Sequence, residues 1–152
     1  MELQLRLVPV PLGRWSDMST VKAANLQNTG SGAPAFQNSS GTEIGQLCKA
    51  WVNFNGTGTI AIRSSFNVSS LTDNGIGDYT ITFTNAMADG NFAVAGSARY
   101  GDSAGLGTMR AFFISSIGTL ANAMATSSVR VGIAYANGGS EDVQVVTAAI
   151  FR

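Results

Sequence analysis

The chain has 152 residues, with nine Lys and Arg balanced by nine Asp and Glu, and no His. At 45% hydrophobic it is too apolar for a disordered chain, while its 12% charged residues are about half the roughly 25% of an ordinary soluble domain. Neutral balance removes any field that would draw nucleic acid or an anionic membrane, the missing His removes the commonest general base and metal ligand, and a lone Cys48 excludes an intrachain disulfide.

The length suits one domain with a sizeable core. No apolar run approaches the roughly 20 residues that span a bilayer, so membrane insertion is not expected. A surface dressed in Ser, Thr, Asn, Gly and Ala, with net charge near zero, favours association between copies. Cys48 reads as a small buried hydrophobe on a strand, since a nucleophilic thiol would need a base beside it.

Residues 1–17 form an extended N-terminal arm. Leu3, Leu5 and Leu7 alternate with Gln4 and Arg6 at strand period. Val8, Val10 and Leu12 continue the apolar run, Pro9 and Pro11 bar it from a ladder interior, and Trp15 closes it. An apolar arm of this kind needs a surface to lie on, so these seven residues are the candidate docking contacts. The opening does not follow the signal-peptide pattern: Glu2 sits in the n-region, prolines break the apolar stretch and no A-x-A site follows. The expectation is synthesis in a cytoplasm without an export address, with Met1 or Met18 as the start.

Residues 18–46 read as a polar connector, with turn formers clustered at Asn28–Pro34 and Asn38–Gly41. From 47 to 152 strands follow one another. Ala50, Val52 and Phe54 alternate with Trp51, Asn53 and Asn55, then a Gly- and Thr-rich turn leads to Ile60 and Ile62, so KAWVNFNGTGTIAIR predicts a hairpin. Phe66 and Val68 flank Asn67 as if on one face. Asp73-Asn74-Gly75-Ile76-Gly77-Asp78 is a strong turn into Tyr79–Thr84, the cleanest period-two run. Strands are further predicted at Phe92–Arg99, Met109–Ile114, Val129–Tyr135 and Val143–Phe151, with Asn137-Gly138-Gly139 as another hairpin signal and 119–126 as a loop. The last strand is apolar on both faces, with Val146 and Ile150 on one of them, which places it centrally or against a neighbouring subunit. The fold class is all-β, an antiparallel sandwich of jelly-roll type.

Chemistry is sparse. Asp73 with Asp78, or Glu141 beside Asp142, are carboxylates of the kind that glycosidases hold across a sugar, yet Asp in D-N-G is chiefly a turn former. The same turn offers oxygens to a hard cation but lacks a closing Glu, so no metal is expected. Gly101-x-x-x-Gly105-x-Gly107 has no Lys-Ser/Thr to make it a phosphate loop, and no cofactor is expected. Arg99, Tyr100 and Asp102 in that loop supply a fork of donors, a stacking ring and an acceptor, a set suited to a sugar.

Two stretches, MSTVKAANLQNTGSG from Met18 and KAWVNFNGTGTIAIRSSFNVSSLTDNGIGDYTITFTNAM from Lys49, resemble short structural proteins of bacteriophage virions, common in marine and cyanobacterial phages and usually described as tail-fibre proteins. The resemblance covers 49–87 and 18–32 and fades beyond about residue 95. It does not include the arm 1–17, and Ala88 stands where similar sequences often have Pro. It implies a non-enzymatic homotrimeric appendage, assembled in the host cytoplasm and carried in the virion. Its partners would be itself, other tail or capsid proteins and a host-surface glycan. Trp51 and Phe54 on opposite faces of one strand, with Val146 and Ile150, are then the candidate core and trimer-contact positions. A capsid decoration or head-fibre protein is the alternative, since an arm can be laid on a shell by strand addition. A second is a polysaccharide-degrading tip using Asp102, Asp78 or Glu141.

Overall fold

Strand period sorts side chains into an inside and an outside, and the sorting is visible first in strand β3, Cys48–Asn55. Ala50, Val52 and Phe54 are buried, while Trp51 faces outward at 37% exposure. We describe a computed structural model, in which residues 36–101, 109–115, 123–135 and 138–152 are described. They belong to the compact unit Ala35–Arg152. The candidate arm contacts Leu3, Leu5, Leu7, Val8, Val10, Leu12 and Trp15 lie outside the described residues, as does Asp102.

Every described element is a strand and every pairing is antiparallel. Within the connector, β1 (Phe36–Gln37) and β2 (Glu43–Gly45) make a separate two-stranded sheet. Its turn is held by Asn38, whose Oδ1 accepts the Ser40 and Thr42 N–H groups at 2.9 and 3.0 Å. The other strands are β4 (Ala61–Phe66), β5 (Val68–Gly75), β6 (Asp78–Phe83), β7 (Ala93–Arg99), β8 (Met109–Ile114), β9 (Met124–Ala125), β10 (Ser128–Ala134) and β11 (Val145–Phe151).

They form one nearly closed, barrel-like sheet in the order β4-β3-β11-β7-β8-β10-β6-β5, with the short β9 on β10. Two hairpins set its ends. β3 pairs β4, and β5 pairs β6 across the predicted Gly75–Asp78 turn. The last strand, β11, sits centrally between β3 and β7. Among the described residues only Ala98↔Arg110 and Arg99↔Met109 join β7 to β8, which makes that corner the seam between the two halves.

The opposite corner is a single residue. Asn67 connects β4 to β5 with φ 54°, in the left-handed region that Asn tolerates better than most side chains. Its amide donates to Lys49 O at 3.0 Å and Asn85 O at 3.1 Å, and its Oδ1 accepts the Asn85 N–H at 2.7 Å. The corner breaks the alternation that the sequence suggests for Phe66 and Val68. Phe66 is 55% exposed, whereas Val68 packs against the core.

Between the halves lies one core. Phe54, Val146 and Ile150 from one side meet Tyr79, Ile81 and Val131 from the other, all fully buried. Phe54 and Tyr79 pack edge to face at 5.1 Å and 73°, the arrangement the ring quadrupole favours. Three of the four candidate core and contact residues are therefore interior, and Trp51 alone is on the surface. Cys48 is half-buried rather than fully so, with its Sγ 3.1 Å from Ala50 O. In the Asn137-Gly138-Gly139 signal, Asn137 lies outside the described residues, while the residues on either side of it bond across a chain reversal. Tyr135 and Gly139 pair and Ala134 bridges Ser140, after which the chain crosses to β11. No helix among the described residues is long and apolar enough to cross a membrane.

Candidate functional site at one end of the barrel

The register brings one set of chain reversals together. The ends of β3, β5, β7 and β10 and the starts of β4, β6, β8 and β11 share one end of the sheet. Adjacent carboxylates there are sent to different tasks. Asp142 points inward: its Oδ1 accepts the Gly77 N–H at 2.7 Å and lies 2.8 Å from the buried Tyr79 hydroxyl. That hydroxyl is also 2.9 Å from Gly56 O, so three separate chain reversals meet on one phenol. Gly77 is required at this crossing. Its φ is +64°, and an added Cβ would lie 2.5 Å from Ile133 O and 2.7 Å from Glu141 N.

Glu141 points the other way, into a surface cluster. It pairs with Arg110 and accepts the Tyr135 hydroxyl at 2.5 Å. The Arg110 guanidinium lies 4.5 Å from the centre of the Tyr135 ring and 5.3 Å from that of Tyr100, within cation–π reach of both. Tyr100 is thus brought beside Arg110, Tyr135 and Glu141, a grouping that its own loop does not reveal. Arg99 is exposed at the end of β7. A second charged pair is on the outer surface of the β8-β10-β6 half. There Arg130 grips Asp78 with two bonds, Nε to Oδ1 at 2.8 Å and a terminal nitrogen to Oδ2 at 2.6 Å.

The electrostatics of this end are those of a fastening. Hydrogen bonding from Arg110 holds the Glu141 carboxyl below its ordinary value. The bond to Glu141 raises the Tyr135 phenol, and burial followed by the bond to Asp142 raises that of Tyr79. Each of these shifts moves its group away from neutral pH, the opposite of what general acid–base work requires. Asp78 and Glu141 are each occupied by a guanidinium. Among the described residues no group of three His, Cys, Asp or Glu is placed to hold a metal.

Beside the Asp78–Arg130 pair lies an open cleft of about 380 Å³, walled by Asn74–Gly77, Asp78, Phe113, Ser115, Gly132 and Ser140. Sequence reasoning missed it, although the pattern MRAFFI opposite a strand Gly was its signal: Phe113 stands directly across from Gly132. Its ring lies against the glycine so closely that a Cβ there would be 2.3 Å from it.

Comparison with known proteins adds no relative: no family model matches the chain, and neither does any curated protein or solved structure.

Proposed function

We propose that this chain is a non-enzymatic structural protein of a bacteriophage virion, a tail fibre or similar appendage. Three copies would associate through the outer face of the β4-β3-β11-β7 half. In this reading the two halves of the sheet serve as the layers of a jelly-roll-type sandwich, residues 1–17 dock on the particle, and loops at the barrel end meet the host surface. The phage assignment is supported by the resemblance over residues 49–87. The assembly is supported by one observation, the composition of that outer face.

Phe66, Trp51, Ala149 and Ala95 stand in one register row across β4, β3, β11 and β7. All four point away from a core that is already complete without them. Phe151 and Ala93 extend the apolar surface on the neighbouring row. Within the row from Phe66 to Ala95 bulk is unevenly divided: large rings lie on β3 and β4, methyl groups on β11 and β7. In this row the bulky part of one copy would fit the shallow part of the next, a head-to-tail contact of the kind that builds a three-membered ring where the rotation closes. Four strands at about 4.8 Å spacing give a face broad enough to pack as one sheet on another. Burying the two rings and flanking methyls is worth about 25 cal/mol for each Å² of apolar surface removed from water.

The virion assignment is tested by labelling purified particles with gold-conjugated antibody raised against the barrel. Gold at a tail appendage is the expected result. Gold over the head would shift the assignment to a decoration protein, and unlabelled particles would refute it.

A further inference from the structure

We propose that the cleft on the outer surface of the β8-β10-β6 half is a binding site for a neutral sugar, with the Phe113 ring as its platform. Phe113 is 42% exposed, and Gly132 beneath it lets the ring lie on the strand backbone with no intervening side chain. A flat, accessible aromatic ring beside polar walls is what the C–H face of a pyranose requires. The polar walls are in place. Ser115 is only 4% exposed, yet it lines the cleft, and among the described residues no side-chain hydrogen bond uses its hydroxyl or that of Ser140. The side chain is largely buried while its hydroxyl, with capacity to donate and accept, reaches the cleft surface that a ligand would fill.

Charge selects the ligand class. The Asp78 carboxylate in the wall is balanced by Arg130, leaving an acceptor and a donor side by side without net charge. Such a pair suits vicinal hydroxyls rather than a phosphate or an ammonium group. Arg130 remains partly exposed, with its side chain at 24%. The volume, about 380 Å³, lies within the range of small-molecule clefts, roughly 300–1,000 Å³. Arg99 and Tyr100 are not among the described residues that line the cleft. The cleft gives the host-surface contact of the proposed function a defined location and ligand class, and rests on that reading only for its biological purpose.

The test uses the full chain and ligand-observed saturation-transfer NMR with cellobiose, lactose and N,N′-diacetylchitobiose. At least one should bind, with a Kd on the order of 1 mM or tighter. Phe113→Leu, which keeps the apolar contact with Gly132 but removes the flat ring, should weaken binding at least about tenfold while melting temperature and mass stay unchanged. Ser115→Ala should weaken it as well, and Asp89→Asn should not, since Asp89 lies in the β6–β7 connection at the opposite end of the sheet, paired with Arg152. The proposal is overturned if none of the three sugars binds, or if Phe113→Leu binds as tightly as the natural chain. Loss of binding in Tyr100→Ala alone would likewise overturn it, by moving the site to the loop. Sugar binding by a chain found to be a monomer would keep this inference and defeat the assembly reading; a trimer without sugar binding would do the reverse.

Discussion

Tyr79→Phe is the sharpest test of how the barrel end is held together. The substitution leaves the ring in place, so the edge-to-face contact with Phe54 at 5.1 Å and the buried apolar area are kept. What is lost is one hydroxyl, 2.8 Å from Asp142 Oδ1 and 2.9 Å from Gly56 O. A hydrogen bond to a charged acceptor contributes about 1.5–3 kcal/mol. Asp142 keeps the Gly77 N–H at 2.7 Å, which limits the damage, so a loss of about 2 kcal/mol is expected. Urea denaturation at fixed protein concentration measures it, since melting of an oligomer depends on concentration. At about 4 °C per kcal/mol for a chain of this size, the melting point should drop by roughly 8 °C. Asp142→Ala should cost at least as much, and the double variant should cost less than the sum of the two, with a coupling of about 1 kcal/mol or more. A loss under about 0.5 kcal/mol, or strict additivity, would show that the phenol does not tie these loops together.

Three further outcomes follow from the same geometry. Asn67→Ala should destabilise by about 2–3 kcal/mol, from left-handed strain plus the lost side-chain bonds, and Asn67→Gly should recover the strain part alone, as read by denaturant midpoints. Glu141 has its folded pKa lowered by Arg110, so its stabilisation is complete above its ordinary value of 4.5 and lost as pH falls through the lowered folded value. The gap in stability between the natural chain and Glu141→Gln should therefore shrink between pH 5 and pH 3 (about the range over which carboxylates titrate); a pH-independent gap would contradict this. Phe66→Glu should dissociate the assembly while retaining the β circular-dichroism spectrum, because Phe66 contributes little to the core of its own chain.

Much of the fold was legible because strand period and turn chemistry agree in this chain. Met109–Ile114 is a strand with those bounds, and the D-N-G-I-G-D stretch reverses the chain from β5 to β6, though its first three residues extend β5 and only Ile76-Gly77 form the turn. Opposite orientation of Trp51 and Phe54 follows from period two alone. Strands of two or three residues, β1, β2 and β9, have no period to read. Asn67 was hidden because one residue in the left-handed region turns the chain without the Gly that usually marks such a place. The site was less legible still. Tyr79, Gly56 and Asp142 are far apart in sequence and meet only through sheet order. Glu141 and Asp142, neighbours that suggest a carboxylate pair, are turned to opposite sides by the loop. Arg110 and Arg130 sit inside otherwise apolar strands, where in so weakly charged a chain their presence was itself the clue.

The most direct test of the account is the mass of the full chain by sedimentation velocity down to nanomolar concentration. A single species near three times the 15.7 kDa protomer, persisting on dilution, is predicted. A soluble, cooperatively melting species of 15.7 kDa would contradict it, because the apolar row from Phe66 to Ala95 would then be shown to need no cover.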